Sequence, residues 1–312
     1  MRKLLLFLAA AGWIPSVCLG DDKAAFDRKV DVVYGRKFGT ALTMDVFTPK
    51  FGANGAAIVW VVSGGWFSAH EAINPVMIDE FLKRGYTVFA VVHGSQPKFT
   101  IPEILKDMNR AVRFIRHHAK DYQIDPDRIG ITGGSAGGHL SLMQGTAGDT
   151  GDKKAKDAVD QTSSRVQAVG CFFPPTDFLN YGKPGENAVG RGRLAGFKPP
   201  FDFQEQDPGT KVFRPITDEA KILEIARQIS PAYHASEDDP PTLIIHGDAD
   251  TLVPIQQAEL ILGKLKSAGV ETKLVVKEGA AHGWPDLLKD ISIIADWFDA
   301  HLLKRQKSAS DK

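Results

Sequence analysis

The chain has 312 residues, 43% of them hydrophobic, and its 38 lysines and arginines are balanced by 38 aspartates and glutamates. A chain of this length can bury one large core. Without net charge, the chain has no overall electrostatic attraction to nucleic acid or anionic membranes.

The N-terminus predicts a secretory signal peptide over residues 1–20. Two basic residues precede an apolar run over residues 4–14, and small residues then lead to Gly20, after which we expect cleavage. The run is too short to span a bilayer, so we expect a secreted or periplasmic protein with no membrane span. Cys18 falls in the removed segment, which leaves Cys171 alone and excludes an internal disulfide.

The rest of the chain predicts an α/β fold with a mostly parallel sheet of about eight strands. Two early strands form an antiparallel pair, and from residue 56 onward apolar strands alternate with helices, which is the βαβ pattern of a sheet with helices on both faces. The strands are predicted at 30–35, 41–48, 57–62, 86–92, 128–132, 166–173, 241–246 and 272–277, and the helices at 73–84, 101–120, 136–147, 255–268 and 286–303. We expect a single domain over residues 21–304 and a disordered tail over 305–312.

One segment interrupts this alternation. Residues 178–230 are rich in Gly, Pro, Phe and Arg and are too long for an ordinary connection, which predicts an inserted lid at the rim of the sheet. Four phenylalanines of the segment either line an apolar acyl site or anchor the segment to the body, and the sequence leaves both open. They are Phe197, Phe201, Phe203 and Phe213.

A G-x-S-x-G pentapeptide over residues 133–137 lies between a predicted strand and a predicted helix. That context is typical of a nucleophile elbow. Ser135 would occupy a strained turn, and glycines flank it because a side chain on either side would collide with neighbouring backbone. A glycine-rich β–α turn without chemistry is the alternative.

Two later strand ends carry the partners of a nucleophilic serine. Asp250 follows the strand at 241–246 and His282 follows the strand at 272–277, and open α/β sheets assemble their sites at such strand ends. Singly, Asp250 could cap a helix and His282 could bind a nearby carbonyl. Together the chain order Ser, Asp, His is that of the α/β-hydrolase triad.

An oxyanion hole is expected just after the strand at 57–62. We expect the backbone N–H groups of Gly64 and Gly65 to face the oxyanion of a tetrahedral intermediate, together with that of Ala136, the residue after the nucleophile. No metal and no cofactor are indicated: the chain lacks H-E-x-x-H, and His117 and His118 point to different faces of a helix.

These motifs resemble the bacterial esterase and acylhydrolase branch of the α/β-hydrolases, near its hormone-sensitive-lipase-like and feruloyl-esterase-like members. Residues 62–66 are similar to the His-Gly-Gly-Gly-Trp segment of that branch, residues 133–139 to its elbow and residues 246–254 to its acid loop. The resemblance implies an α/β-hydrolase fold and a serine carboxylic ester hydrolase. It favours Asp250 over Asp248 as the acid, since Asp250 matches the second acidic position of the loop.

Two positions depart from the family pattern. Val62 and Ser63 replace the histidine and the first glycine, which removes a side chain that commonly braces the oxyanion loop. His93 and Gly94 stand where the family has a Tyr-Arg pair, so an extra histidine lies near the mouth of the site. We expect Trp66 and His93 to contact substrate, with a structural role as the alternative for His93.

Three functions are compatible with these motifs. The leading one is an exported esterase that acts on acetyl or feruloyl esters of polysaccharides, where the resemblance alone suggests the sugar. A serine peptidase of the dipeptidyl type shares the triad order, but the chain has no propeller-like repeat. A non-catalytic binding domain would be expected to lose a triad member, and this chain keeps all three candidates. The substrate is thus a small-molecule or polysaccharide-linked ester, and the oligomeric state is open.

Overall fold

An eight-stranded sheet forms the centre of the structure, a computed structural model that describes residues 25–303. The strands are β1 (Phe26–Lys37), β2 (Thr40–Pro49), β3 (Ala57–Val62), β4 (Thr87–Val92), β5 (Ile129–Thr132), β6 (Ala168–Phe172), β7 (Gln204–Gln206), β8 (Phe213–Pro215), β9 (Thr242–Gly247) and β10 (Thr272–Lys277). The order in the main sheet is β1-β2-β4-β3-β5-β6-β9-β10. In the main sheet, β2 alone runs opposite to the other seven strands, so the predicted mostly parallel sheet is confirmed.

Helices cover both faces of this sheet, as the sequence predicts. They are α1 (Asp79–Lys83), α2 (Ile101–His117), α3 (Ala136–Ala147), α4 (Glu219–Gln228), α5 (Gln256–Ser267) and α6 (Leu287–Phe298). All six residues of β3 are buried, and alternate ones belong to two core clusters: Val59 packs with α2, α3 and α5, whereas Ile58 packs with α1 and α6. A strand that helices cover on both faces of the sheet needs apolar residues at every position, as β3 has.

The helix predicted over 73–84 is broken in the structure. Short 3₁₀ turns at His70–Ala72 and Pro75–Met77 precede α1. The Asn74 side chain accepts a hydrogen bond from the Val76 N–H at 3.0 Å, which caps a new turn in place of a continuous helix. The other helices agree with their predicted ranges to within a few residues.

The segment over residues 178–230 contains α4, two 3₁₀ turns and a small hairpin of β7 and β8. Phe201 and Phe203 are buried in the main core, so these two anchor the segment to the body. Phe213 is 42% exposed, and Phe197 lies against the loop after β3. The anchoring alternative therefore describes Phe201 and Phe203, and Phe197 also packs against the same core.

Some expectations fall on residues outside 25–303. The signal peptide over 1–20 and the tail over 305–312 both lie outside the described residues. Between residues 25 and 303, no helix combines the length and the apolar character needed to cross a membrane.

Candidate active site

The elbow around Ser135 is a strained turn between β5 and α3. Ser135 has φ +55° and ψ −119°, a conformation that L-residues rarely adopt. A Cβ on Gly133 would lie 2.7 Å from the backbone of Gly137, so this position admits only glycine. The Ser135 N–H donates to the Phe172 carbonyl at 3.0 Å, which fixes the turn to the end of β6. The predicted conformational reason for the flanking glycines is confirmed.

Ser135, His282 and Asp250 form a continuous hydrogen-bonded chain. The distance from His282 Nε2 to Ser135 Oγ is 2.9 Å, and that from His282 Nδ1 to Asp250 Oδ2 is 2.6 Å. An ionised carboxylate only accepts, so His282 donates from Nδ1 and its Nε2 accepts from the Ser135 hydroxyl. This tautomer lets the imidazole take the serine proton.

The carboxylate of Asp250 is buried and fully hydrogen-bonded. Its Oδ1 accepts from the N–H groups of Leu252 and Val253, both at 2.9 Å. Burial by itself would raise the pKa of Asp250, but the nearby His246 imidazole and the hydrogen bonds from His282 and the Val253 N–H outweigh it and hold this pKa well below its usual range. The group is therefore an anion at neutral pH.

Asp248, the competing candidate for the acid, points elsewhere. Its side chain is exposed, and its Oδ1 accepts from the Gly279 N–H at 2.7 Å. This contact braces the turn that precedes His282. The structure thus brings Asp250 to the histidine and leaves Asp248 as a bracing residue.

The oxyanion loop follows β3 and differs in one respect from the expectation. The Gly64 N–H donates to the Phe67 carbonyl at 3.0 Å, so Gly64 as a donor to the oxyanion is wrong: its proton is used inside the turn. Within the described part of the chain, the N–H groups of Gly65, Trp66 and Ala136 have no acceptor. Gly65 and Ala136 thus remain as the predicted oxyanion donors.

The Trp66 side chain does not face substrate, which corrects the expectation from the sequence. Its surface is 2% exposed, and its Nε1 donates to His139 Nδ1 at 3.1 Å. The ring packs edge-on against Phe201, with ring centroids 5.2 Å apart. Trp66 therefore joins the segment over residues 178–230 to the helix that begins at the elbow.

His93 is buried as well, so the substrate-contacting role is wrong and the structural alternative describes it. Only 3% of its surface is exposed. Its Nδ1 donates to the Gly94 carbonyl at 2.9 Å, and its Nε2 accepts from Ser63 Oγ at 2.9 Å. His93, just after the neighbouring strand β4, thus holds the oxyanion loop. Val62, which replaces the family's histidine, has no polar side chain to do so.

Phe173 is a site residue that the sequence did not single out. It directly follows β6, and its ring centroid lies 4.5 Å from that of His282. Its φ is +36°, which is uncommon for a bulky residue and turns the ring toward the site. The sequence could have identified Phe173 by its position at the end of β6, because active-site residues of such sheets lie at strand ends.

One group among residues 25–303 has the spacing to hold a metal ion, and it lies away from the triad. Asp31, Asp45 and His70 offer ligand atoms within 4.8 Å of one another. The guanidinium of Arg28 lies 2.6 Å from Asp45, so the buried carboxylate already has a cationic partner.

We expect acid to destabilise the protein between pH 6.5 and pH 4 through two buried histidines. Burial lowers the pKa of His93 and of His139 to about 4, whereas an unfolded histidine titrates near 6.5. The unfolded chain thus binds more protons than the folded chain in this window. The free energy of unfolding therefore decreases as the pH is lowered, by at most about 3 kcal/mol for each histidine. Urea unfolding at pH 7 and pH 4.5 measures the loss.

His139→Gln should flatten this pH dependence, because glutamine does not titrate. Asp250 cannot account for the effect. Because its pKa is lowered in the folded chain, its contribution to stability is lost mainly below the ordinary aspartate pKa of about 4. Equal stability at the two pH values would contradict the assignment of neutral, buried histidines.

Most of the similar proteins are ester hydrolases, and one is an uncharacterized peptidase, YuxL of Bacillus subtilis, which is 32% identical over 197 residues covering 59% of this chain and 24% of YuxL. A family model described as BD-FAE matches residues 44–265. The probable carboxylic ester hydrolase LipM of Mycobacterium tuberculosis is 28% identical over 248 residues, which cover 76% of this chain and 51% of LipM. The chain spans about half the length of the curated relatives it matches.

Solved structures show the same architecture. A truncated carbohydrate esterase from gut microbiota has a TM-score of 0.71 and 26% identity, with 90% of this chain and 99% of that chain covered. An acetyl ester-xyloside bifunctional hydrolase from Caldicellulosiruptor lactoaceticus has a TM-score of 0.69 and 23% identity, with 87% and 96% covered. The second likeness is one of fold.

Proposed function

The chain belongs to the BD-FAE family and has the α/β-hydrolase fold, and from this premise we propose that it is a serine carboxylic ester hydrolase. The observation that carries the proposal is the hydrogen-bonded chain from Ser135 through His282 to Asp250. The resemblance to LipM, a probable carboxylic ester hydrolase, supports the same reaction class.

The proposed reaction runs in two steps. His282 takes the proton of Ser135 as Oγ attacks the ester carbonyl, and the Gly65 and Ala136 amides stabilise the oxyanion. His282 then protonates the leaving alcohol, which leaves an acyl-enzyme on Ser135. His282 then takes a proton from water as the water oxygen attacks the acyl-enzyme carbonyl, and it returns that proton to Ser135 Oγ as the C–Oγ bond breaks and the acid leaves. Asp250 keeps the imidazole in the reactive tautomer and stabilises its protonated form.

For the substrate, we propose acetyl or feruloyl esters of polysaccharides. A carbohydrate esterase among the similar structures supports the sugar part. We also propose that residues 1–20 direct export, that residues 21–304 are one catalytic domain and that residues 178–230 are its lid. The packing of Phe197 against Gly65 supports the last point, because it places this segment over the oxyanion loop.

Two measurements on the full chain test the reaction class. Hydrolysis of p-nitrophenyl esters from acetate to decanoate, with methyl ferulate, ranks the acyl groups. A fluorophosphonate probe, which phosphonylates activated serines, should label the protein once, and peptide mass spectrometry should place the label on Ser135. Absence of hydrolysis together with a label elsewhere would refute the proposal.

We expect Ser63→Ala to lower kcat about tenfold with little change in KM. The substitution removes the hydroxyl that bonds His93 and frees the oxyanion loop. A misplaced donor loses part of the roughly 3 kcal/mol that one oxyanion donor contributes. Steady-state kinetics with p-nitrophenyl acetate measure the effect. Ser292→Ala is the control, since its hydroxyl bonds a carbonyl of its own helix; equal kinetics for both variants would exclude a bracing role.

A further inference from the structure

A second cavity lies beside the proposed site. It has a volume of about 1160 Å³ and opens between the β1–β2 turn, one face of α2 and the lid hairpin of β7 and β8. None of its lining residues belongs to the triad. Its size is that of a site for a large ligand.

Each wall of this cavity contains a chain segment that also contacts the oxyanion loop. On the body side, the Trp66 carbonyl accepts from the Gln96 N–H at 3.2 Å, and the next residue, Pro97, lines the cavity. On the lid side, Phe197 covers Gly65 so closely that a Cβ there would lie 2.6 Å from its ring, and Pro199 lines the cavity. Segments that contact Gly65 and Trp66 of the oxyanion loop therefore continue into both walls of this cavity.

Aromatic rings stand at the mouth of the cavity. Phe38, on the β1–β2 turn, is 61% exposed, and Phe213, on the lid hairpin, is 42% exposed. Their rings meet edge-to-face with centroids 5.5 Å apart. Two large apolar side chains from distant parts of the chain thus form an exposed pair, of the kind that marks a binding surface.

The acidic groups of the cavity are already paired. Lys37 Nζ lies 2.6 Å from Asp107, and Arg110 bonds both Asp157, at 2.7 Å, and Asp160, at 2.9 Å. The two remaining acids are Glu103, which accepts from Thr100 at the start of α2, and Asp202, which faces Lys198.

Three cations of the lining are left over. Arg36, Lys98 and Lys106 form no ion pair with any carboxylate among residues 25–303. The Lys98 ammonium bonds only the Thr40 hydroxyl, at 2.7 Å. The lining as a whole has five cations and five carboxylates, and it offers these three unpaired cations together with aromatic rings and the Gln204 amide.

We propose that this cavity binds the sugar chain of the substrate and selects chains that carry uronate carboxylates. Sugar rings present apolar faces to the phenylalanines, hydroxyls to the amide, and, in a uronate, a carboxylate to the unpaired cations. The inference rests on the proposed ester hydrolase function, because it treats the cavity as the place of the alcohol part of the ester.

Calorimetric titration of the full chain tests the inference with two probes that carry no ester. One is xylotetraose with a single glucuronosyl branch, and the other is unbranched xylotetraose. The branched probe should bind about tenfold more tightly or better, and high salt should reduce this advantage because it screens exposed charges.

The variant Phe38→Ala/Lys106→Glu should weaken binding of the branched probe by about tenfold or more. Both side chains are exposed, so the fold should tolerate the change. Lys273→Glu is the matched control, because Lys273 is an exposed residue of β10, at the opposite edge of the sheet from β1. Equal binding of the two probes, or unchanged binding by the double variant, would overturn the inference.

Hydrolysis of p-nitrophenyl acetate separates this inference from the proposed function. The small ester carries no sugar chain and none of the cavity's lining residues belongs to the triad, so the double variant should hydrolyse it at the rate of the unaltered chain. If the unaltered chain itself fails to hydrolyse esters, the proposed function falls, whereas the titrations still report on the cavity.

Discussion

Ser135→Ala is expected to lower kcat/KM for p-nitrophenyl acetate by about 10⁴-fold or more. The substitution removes the only atom that forms the acyl-enzyme, and what is left is binding and the oxyanion donors. The backbone should not change, because alanine meets the same strain at φ +55° as serine does. The measurement is steady-state hydrolysis by both proteins under the same conditions.

Thermal unfolding supplies the control for this variant. An unchanged Tm with lost activity assigns the loss to chemistry, since only one hydroxyl differs. If Ser135→Ala keeps more than about a tenth of the activity, then Ser135 is not the nucleophile. The hydrogen bond to His282 would in that case have a structural role.

Asp250→Asn is expected to lower kcat by about 10³-fold or more. An asparagine can turn its amide toward His282 and donate to Nδ1, which stabilises the tautomer that cannot accept the serine proton. The two hydrogen bonds from Leu252 and Val253 to Oδ1 can be kept by the amide oxygen, so the loop should hold its shape. Single-turnover and steady-state kinetics measure the loss.

The same substitution at Asp248 is a matched control. Asp248 lies two residues earlier in the loop, and an asparagine there can still accept from the Gly279 N–H. Activity within about threefold of the parent is expected, as for an exposed residue away from the reacting atoms. If Asp248→Asn loses as much as Asp250→Asn, the choice of acid is wrong.

Much of the fold could be predicted because its signals are local. The strands predicted at 57–62 and 272–277 agree with β3 and β10 at both ends, since a short apolar or alternating run marks a strand by a local pattern. The prediction failed over 73–84, where a single polar side chain, Asn74, ends one turn and begins another. Such a competition between a side chain and the backbone is invisible to hydrophobic periodicity.

The oxyanion loop shows where local reasoning ends. The sequence correctly placed a glycine turn after β3, but the turn's own bond from Gly64 to Phe67 removes one of the expected donors. His93 and Trp66 were expected at the mouth of the site because they lie near it in the chain. Both are instead held inside, by Ser63 and by His139.

The sequence by itself determined which residues stand at the ends of the strands: Ser135 in its glycine-flanked turn, and Asp250 and His282 after the last two strands of the sheet. This was possible because strand ends and turn residues follow from patterns a few positions long. Only the tertiary structure decided between Asp248 and Asp250 and the roles of Trp66 and His93. Those outcomes depend on contacts such as Trp66 with His139, 73 positions apart, which form only when the whole chain packs.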